Sequence, residues 1–314
     1  MERAEQVSRR LKLRHLNVLL AVAKCGSMAK AAEHLSISQP VVSKAIAELE
    51  GVVGVRLLDR GRYGIEPTLH GRALLKRSAA IFDDLKTSVG ELEFLSDPTS
   101  GELRIGCEEN LSTGLLPALI ELVAGQYPGI LFDIAISDPK TLRERDLRGR
   151  NVEVAIMRTT TPEVGEEFET KILLQDRLWV VAGVEHPLVR RRKISKITLR
   201  DLADERWCLP PPDHPVGSLV TDAFRKSGLE PPARSVTVAS AQCTSNLVAQ
   251  CQFLGVLGSM FLRFNPPSVR LKVLAELPIP VSSHSIVTLK DRTLSPVAQL
   301  FIDCARKVIT PMAA

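Results

Sequence analysis

Apolar side chains at Leu13, Leu16, Leu20 and Ala23 recur at helical spacing and predict a first helix from about Lys12 to Lys24. Gly26 ends it, and Ser27 stands ready to cap a short alanine-rich helix over Met28–Leu35. A turn at Ser36-Ile37-Ser38 follows. Ser38 is the expected N-cap of a third helix reaching about Glu50, with Pro40 in the first turn, where its missing N–H does no harm. Val42, Ala45, Ile46 and Leu49 share one face of that helix, while Gln39, Pro40, Val41, Ser43 and Lys44 lie off it near the start.

Between Val55 and Gly71 two short apolar stretches flank Arg60-Gly61-Arg62-Tyr63-Gly64, the pattern of a β-hairpin with a basic tip. From Gly71 to Leu95 no proline interrupts a run of good helix formers. Leu74, Ser78, Ile81, Leu85, Ser88, Leu92 and Leu95 step by fours and threes, an a/d seam over three heptads. A helix packed on its own domain gives a similar stripe, and the two serines interrupt this one. The turn residues Asp97-Pro98-Thr99-Ser100-Gly101 then mark the clearest boundary in the chain.

Beyond Gly101 strands and helices alternate. The predicted strands are Leu103–Cys107, Leu131–Ile136, Val152–Ile156, Trp179–Ala182, Val236–Val238, Val256–Leu257 and Ser285–Leu289. The predicted helices are Gly114–Gln126, Lys140–Arg148, Ser218–Ser227, Ala241–Gln250 and Pro296–Val308. Alternation of this kind predicts an α/β fold with mainly parallel sheets. The stretch Pro210–Pro215 is a stiff loop, either a structural turn or part of a cleft wall.

Composition narrows the class. The 314 residues are 45% hydrophobic and 25% charged, which excludes a mainly disordered chain. No apolar run approaches the ~18 residues of a membrane span. The opening MERAEQVSRRLKLR holds no apolar block, so no secretory signal and a cytoplasmic protein are expected. Charge is uneven: Arg9–Arg77 carries 13 Lys+Arg against 5 Asp+Glu, and Asp97–Ala314 carries 26 against 25. A basic front on a nearly neutral remainder fits a polyanion-binding module, though charge alone fits a solvated basic surface equally well.

Enzymatic signatures are missing. There is no G-x-G-x-x-G after a first strand, no Walker loop, no H-E-x-x-H and no G-x-S-x-G. The six histidines and six cysteines lack metal-ligand spacing, so neither cofactor nor metal is expected. Cys107, at a strand end, reads as a small buried apolar residue rather than a reactive thiol.

Two short helices and a tight turn make a helix-turn-helix, and the exposed Gln, Ser and Lys at the start of the third helix suit base edges and phosphates. The following hairpin then reads as a wing. The residues from Ala31 to Arg60 carry more than this. Their AAxxL, SxSQPxxSxxIxxLE and G-V-x-L-L elements, with P-T-x-x-G closing the wing, resemble the N-terminal signature of LysR-type transcriptional regulators. Leu58 stands where that family usually has Phe, and Tyr63 where a second wing Arg is usual.

The resemblance implies a winged helix-turn-helix over 1–69, a dimerising linker helix over 70–96 and an effector-binding domain over 97–314. That domain would comprise two Rossmann-like lobes, similar to a periplasmic binding protein. Lobe I would cover about 101–175 and 283–314, and lobe II about 176–282. The implied function is a ligand-responsive regulator, a homodimer or homotetramer on double-stranded promoter DNA. A small-molecule effector would alter oligomer geometry and RNA polymerase recruitment. Candidate DNA contacts are Ser36, Ser38, Gln39, Pro40, Val41, Ser43, Lys44, Arg60, Arg62 and Thr68.

Pro117 must lie in a helix's first turn, so Asn110, Ser112 and Thr113 precede free helix N–H groups at a strand end, a position suited to ligands. Pro139, Lys140, Thr141, Asp213, His214, Val216 and Gln242 are expected across the cleft from them. The effector is either a carboxylate metabolite or sugar-like. Glu108 or Glu109 facing the cleft would repel the former. Near Leu247–Leu257 the family usually has a G-x-G turn, where this chain has Cys251 and Phe253. The competing reading is a cytoplasmic small-molecule-binding or enzymatic α/β protein with an N-terminal helical oligomerisation module.

Overall fold

The computed structural model describes residues 7, 9–61, 64–159, 165–190, 197–264, 269–279 and 282–309. Two compact units divide at Val89 and Gly90.

In the first unit, helices α1 (Leu13–Cys25), α2 (Met28–His34) and α3 (Gln39–Val53) pack around a core of Leu16, Leu19, Val22, Ala31, Val42, Ile46 and Leu49. Gly26 and Gly54 end α1 and α3 in the left-handed conformation. Ser27 and Ser38 stand at the expected N-cap positions, but their side chains make no capping bond. Helix α3 runs on to Val53, about a turn further than its sequence pattern predicts, and stops at Gly54. Its Glu50 accepts the Leu57 and Leu58 N–H groups at 2.7 and 3.2 Å, tying helix to wing. Leu58 is buried, so it fills the core where the family has Phe.

The wing is the antiparallel pair β1 (Leu58–Gly61) and β2 (Gly64–Pro67). Gly71 explains the end of the P-T-x-x-G element, since a Cβ there would stand 2.0 Å from the Leu57 carbonyl oxygen. Helix α4 spans Leu69–Ser96.

The second unit holds two five-stranded sheets. The first contains β3 (Ser100–Cys107), β4 (Gly129–Ile136), β5 (Val154–Thr159), β6 (Phe168–Asp176) and β12 (Ser282–Leu289), in the order β4-β3-β5-β12-β6. The second contains β7 (Leu178–Gly183), β8 (Trp207–Leu209), β9 (Arg234–Thr237), β10 (Leu254–Gly258) and β11 (Leu271–Glu276), in the order β11-β7-β10-β8-β9. Helix α5 (Leu115–Gln126) packs on the first sheet. Helices α6 (Pro215–Lys226) and α7 (Ala241–Gln250) cover the second. Helix α8 (Pro296–Ile309) returns to the first core through Phe301 and Ile302. Trp207 anchors the second core, edge-on to Phe224 at 5.7 Å, its indole N–H donating to the Leu202 carbonyl.

The sheets are mixed, which corrects the expectation of mainly parallel pairing. Strand β3 is parallel to β4 and β5, but β12 runs antiparallel to β5 and β6. Strand β10 is parallel to β8 and antiparallel to β7. The reason is the double crossover: the chain leaves lobe I at Asp176–Leu178 and returns between Glu276 and Ser282, and each crossing strand enters its sheet against the others. A predicted helix over Lys140–Arg148 is instead one turn at Pro139–Thr141 continuing as a π-helical segment, Leu142–Leu147. Cys251, with φ −121°, leaves α7 without a left-handed residue, and Phe253 is buried under the Arg206 guanidinium at 4.6 Å.

Candidate functional site

In the first unit the polar start of α3 is free for contact. Gln39, Pro40, Val41, Ser43 and Lys44 are all exposed, while Val42, Ala45, Ile46 and Leu49 on the opposite face fill the core. Buried His15 on α1 lies 3.2 Å from Glu48 of α3. Ser36 takes a φ of 53°, the tight bend between α2 and α3. Thr68 is less available than its sequence position predicts. Its hydroxyl donates to the Arg56 carbonyl and accepts the Gly71 N–H, both at 2.9 Å, so it closes the wing. The backbone of Arg60 lies on β1, and Arg62 falls outside the described residues.

In the second unit a cavity of about 310 Å³ opens between the lobes. Lobe I lines it with Glu108, Glu109, Asn110, Asp138, Pro139 and Arg158, lobe II with Pro210, His214, Val216, Ser240, Leu257 and Phe261. A neighbouring cavity of about 500 Å³ shares Asp138, Pro139, Arg158 and His214 and adds Lys140, Arg143, Pro211 and Asp213. Of the predicted cleft residues, Asn110, Pro139, Lys140, Asp213, His214 and Val216 therefore meet around these spaces.

Ser112, Thr113, Thr141 and Gln242 line neither of these two spaces. Helix α5 does begin beside Gly114, with Pro117 in its first turn. The segment before it, however, folds into its own short helix, Glu109–Ser112. Ser112 donates to the Glu109 carbonyl at 2.7 Å and Thr113 ends that helix, so neither reaches into the space. Thr141 is held by Asp138, which caps its turn. The Gln242 side chain reaches back to Ser245 at 3.5 Å.

The ionisable groups lining the first cavity, Glu108, Glu109, Asp138, Arg158 and His214, each have a partner from the fold. Glu108 accepts the Arg158 backbone N–H at 2.7 Å, and burial pushes its carboxyl above its ordinary value despite the pull of Arg158. Arg158 pairs with Asp176 at 3.0 Å and donates to Ser282. Against an opposing effect of burial, hydrogen bonds from Thr141 and Lys140 hold the Asp138 carboxyl low. His214 caps α6, its Nδ1 accepting the Val216 N–H at 3.2 Å, and burial pushes its pKa down. Gly217 is needed there, because a Cβ would meet the Pro211 carbonyl oxygen at 1.9 Å. Cys107 is buried and burial raises its thiol pKa, leaving a small apolar side chain.

Sequence reasoning missed Arg158, Asp176 and His284. The available signal was a charge closing the apolar run Val154–Met157, at a strand end where an unpaired arginine is costly to bury. Among the described residues no cluster of His, Cys, Asp and Glu is arranged to hold a metal, and no helix is long and apolar enough to cross a membrane.

Two family models match the chain. That of the LysR substrate binding domain covers residues 96–310, and that of the bacterial regulatory helix-turn-helix protein, lysR family, covers 13–72. The HTH-type transcriptional regulator GbpR of Azospirillum brasilense is 29% identical over 298 residues, covering 95% of this chain and 86% of that one. The HTH-type transcriptional regulator YdcI of Escherichia coli (strain K12) is 28% identical over 314 residues, covering 98% and 99%. Full-length CbnR, solved in complex with its target DNA, matches in fold with a TM-score of 0.61 at 21% identity, covering 95% of this chain and 99% of that one.

Proposed function

Because the chain belongs to the LysR family of bacterial transcriptional regulators, and is a DNA-binding regulator rather than an enzyme, we propose that a small-molecule effector in the cleft of its second unit controls how it sits on promoter DNA. In this reading 1–69 is the DNA-binding module, 70–96 the dimerising linker and 97–314 the effector domain. Gln39 and Ser43 read base edges. Ser36, Ser38, Pro40, Val41 and Thr68 flank the contact. Lys44, Arg60 and Arg62 meet phosphates. A homodimer or homotetramer spans an interrupted palindrome, and the effector changes the spacing of its DNA-binding modules and hence RNA polymerase recruitment.

The observation that carries the effector reading is the cavity of about 310 Å³ walled by both lobes, with Leu178 at the first crossover in its lining. A ligand touching Asn110 and Pro139 on one side and His214 and Val216 on the other binds one lobe arrangement better than another. Only such a difference in affinity shifts a conformational equilibrium. Two measurements test the reading. A gel shift with the DNA upstream of the protein's own gene is expected to show specific retardation, and its absence refutes the DNA assignment. Metabolites of the adjacent operon are expected to raise the melting temperature of the wild type but not of Val216→Trp, whose indole fills the cavity. An undiminished shift in that variant moves the effector elsewhere.

A further inference from the structure

The carboxylate of Glu109 crosses the cleft. Glu109 belongs to lobe I, yet its Oε1 accepts the Ser240 hydroxyl at 2.8 Å and the Gln242 N–H at 3.4 Å, and its Oε2 accepts the Ala241 N–H at 3.0 Å. These donors are the N-terminal end of the ten-residue helix α7 in lobe II. A helix N-terminus carries unsatisfied N–H groups and a positive dipole end, the natural seat for an anion. Here the chain supplies that anion itself.

The rest of the wall points the same way. Glu108, Glu109 and Asp138 line the first cavity against one guanidinium, that of Arg158. Arg158 is only 5% exposed and already neutralised by Asp176 at 3.0 Å. Its Nε has no partner and Asn110 Oδ1 has none, two buried polar atoms of wall residues that the fold leaves unpaired. Much of the remaining surface is apolar, through Leu178, Val216, Leu257 and Phe261.

We propose that Glu109 is the specificity-determining residue of the cleft: its carboxylate occupies the anion seat of α7, holds the lobes together, and reserves the cavity for an effector without negative charge. This rests on the cleft being the effector site. An effector carboxylate seated at the N-terminus of α7 would have to displace Glu109 and would still face Glu108; Lys140 and Arg143 line only the neighbouring space.

The test is rescue by acetate in the full-length protein, with acetamide as its uncharged isostere. Glu109→Ala vacates the seat. It is expected to melt lower than wild type, with acetate restoring about 2–4 °C in a saturable way and acetamide restoring none. Wild type is expected to respond to acetate no more than to chloride. Adding Ala241→Pro, which removes one donor at a helix position that tolerates proline, is expected to abolish the rescue.

Should Glu109→Ala fail to fold, Glu109→Gln and Ala241→Pro form a cycle in which the double variant melts no lower than the worse single one. Additive losses overturn the proposal, as does acetate stabilising the wild type as much as the variant. So does an anionic effector that Val216→Trp excludes. The rescue uses no effector. If it succeeds while Val216→Trp leaves the effector response intact, the cleft reading fails and the Glu109 contact stands.

Discussion

Arg158 and Asp176 meet at 3.0 Å with 5% and 1% of their surfaces exposed. Asp176 is the last residue of β6, just before the chain crosses to lobe II. Its other oxygen accepts the Ser259 hydroxyl at 2.7 Å and the Met260 N–H at 3.1 Å, at the helical turn that follows β10. One carboxylate thus fixes the crossover to the lobe it enters, and one guanidinium balances it. Removing either partner leaves a buried charge alone, which typically costs about 3–5 kcal/mol. Arg158→Met is therefore expected to lose about that much in urea unfolding. Arg158→Met with Asp176→Asn is expected to lose clearly less than the sum of the two single losses. Additive losses would mean that the two side chains are not coupled.

His284 shares this pocket and gives the protein an acid-sensitive point. It is fully enclosed, with Nε2 3.4 Å from the Asn110 amide nitrogen and Nδ1 3.8 Å from Asp176. Burial pushes its pKa down to about 3, the Arg158 charge adds to this, and Asp176 opposes it. The folded protein therefore keeps His284 neutral while the unfolded chain takes up a proton near pH 6.5. Stability from this group is complete above about 6.5 and falls as pH drops toward 3, by at most about 1.4 kcal/mol per pH unit. Glu108, with its pKa raised by burial, acts with the opposite sign, since its protonation favours the folded state. Comparing wild type with His284→Gln isolates the imidazole. The variant is expected to show a flatter fall in melting temperature between about pH 6.5 and 4. Equal slopes would assign the acid sensitivity to another group.

Helices with a one-sided apolar stripe were legible to within a few residues: α1, α3, α5, α7 and α8 all lie where their spacing predicts. Strands β6, β8 and β11 were not. Strand β6 is an edge strand whose Ile172 is exposed, so it lacks clean alternation, and β8 is only three residues long. Part of the cleft was legible because proline, aspartate and histidine mark loops at strand ends, as at Pro139, Asp213 and His214. The centre of the polar network was hidden because Arg158, Asp176 and His284 are far apart in sequence and meet only through the double crossover. The short helix that takes up Ser112 and Thr113 was not legible, because a hydroxyl before a helix reads the same whether it faces a ligand or closes its own turn.

The proposed roles on α3, base reading by Gln39 and Ser43 and phosphate contact by Lys44, are separable by experiment. Gln39 and Ser43 lie one turn apart and are exposed, and each replaced by Ala is expected to cost about 1–3 kcal/mol at the specific site and little on random DNA. Lys44 has 79% of its side-chain surface exposed, and its contact with Glu48 is long at 3.9 Å. Lys44→Ala is expected to weaken both DNAs alike and to lower the slope of log affinity against log salt by about one unit. Fluorescence anisotropy across a salt series reads both quantities. Equal losses on both DNAs for Gln39 and Ser43, or an unchanged slope for Lys44, would reverse the assignment.

The stripe on α4 starts against its own domain, with Leu74 packed on the first unit's core and Ser78 buried, and is exposed beyond that. Ile81, Leu85, Leu92 and Leu95 are 38%, 42%, 66% and 78% exposed. The two serines interrupt the stripe less than their sequence positions imply. Ser78 donates to the Leu74 carbonyl at 2.8 Å and Ser88 to the Asp84 carbonyl at 2.9 Å, so each satisfies its hydroxyl on its own helix. Four large aliphatic side chains along one seam then remain for a second helix of the same kind. Leu85→Glu sets a charge in the middle of that seam without touching the cores of either unit, since Leu85 is in neither. Light scattering is expected to show a smaller species, and DNA affinity is expected to fall because two half-sites are no longer bound together. Melting of the separate units should change little, which distinguishes lost assembly from lost folding. An unaltered oligomer with full DNA binding would put the subunit interface on another surface.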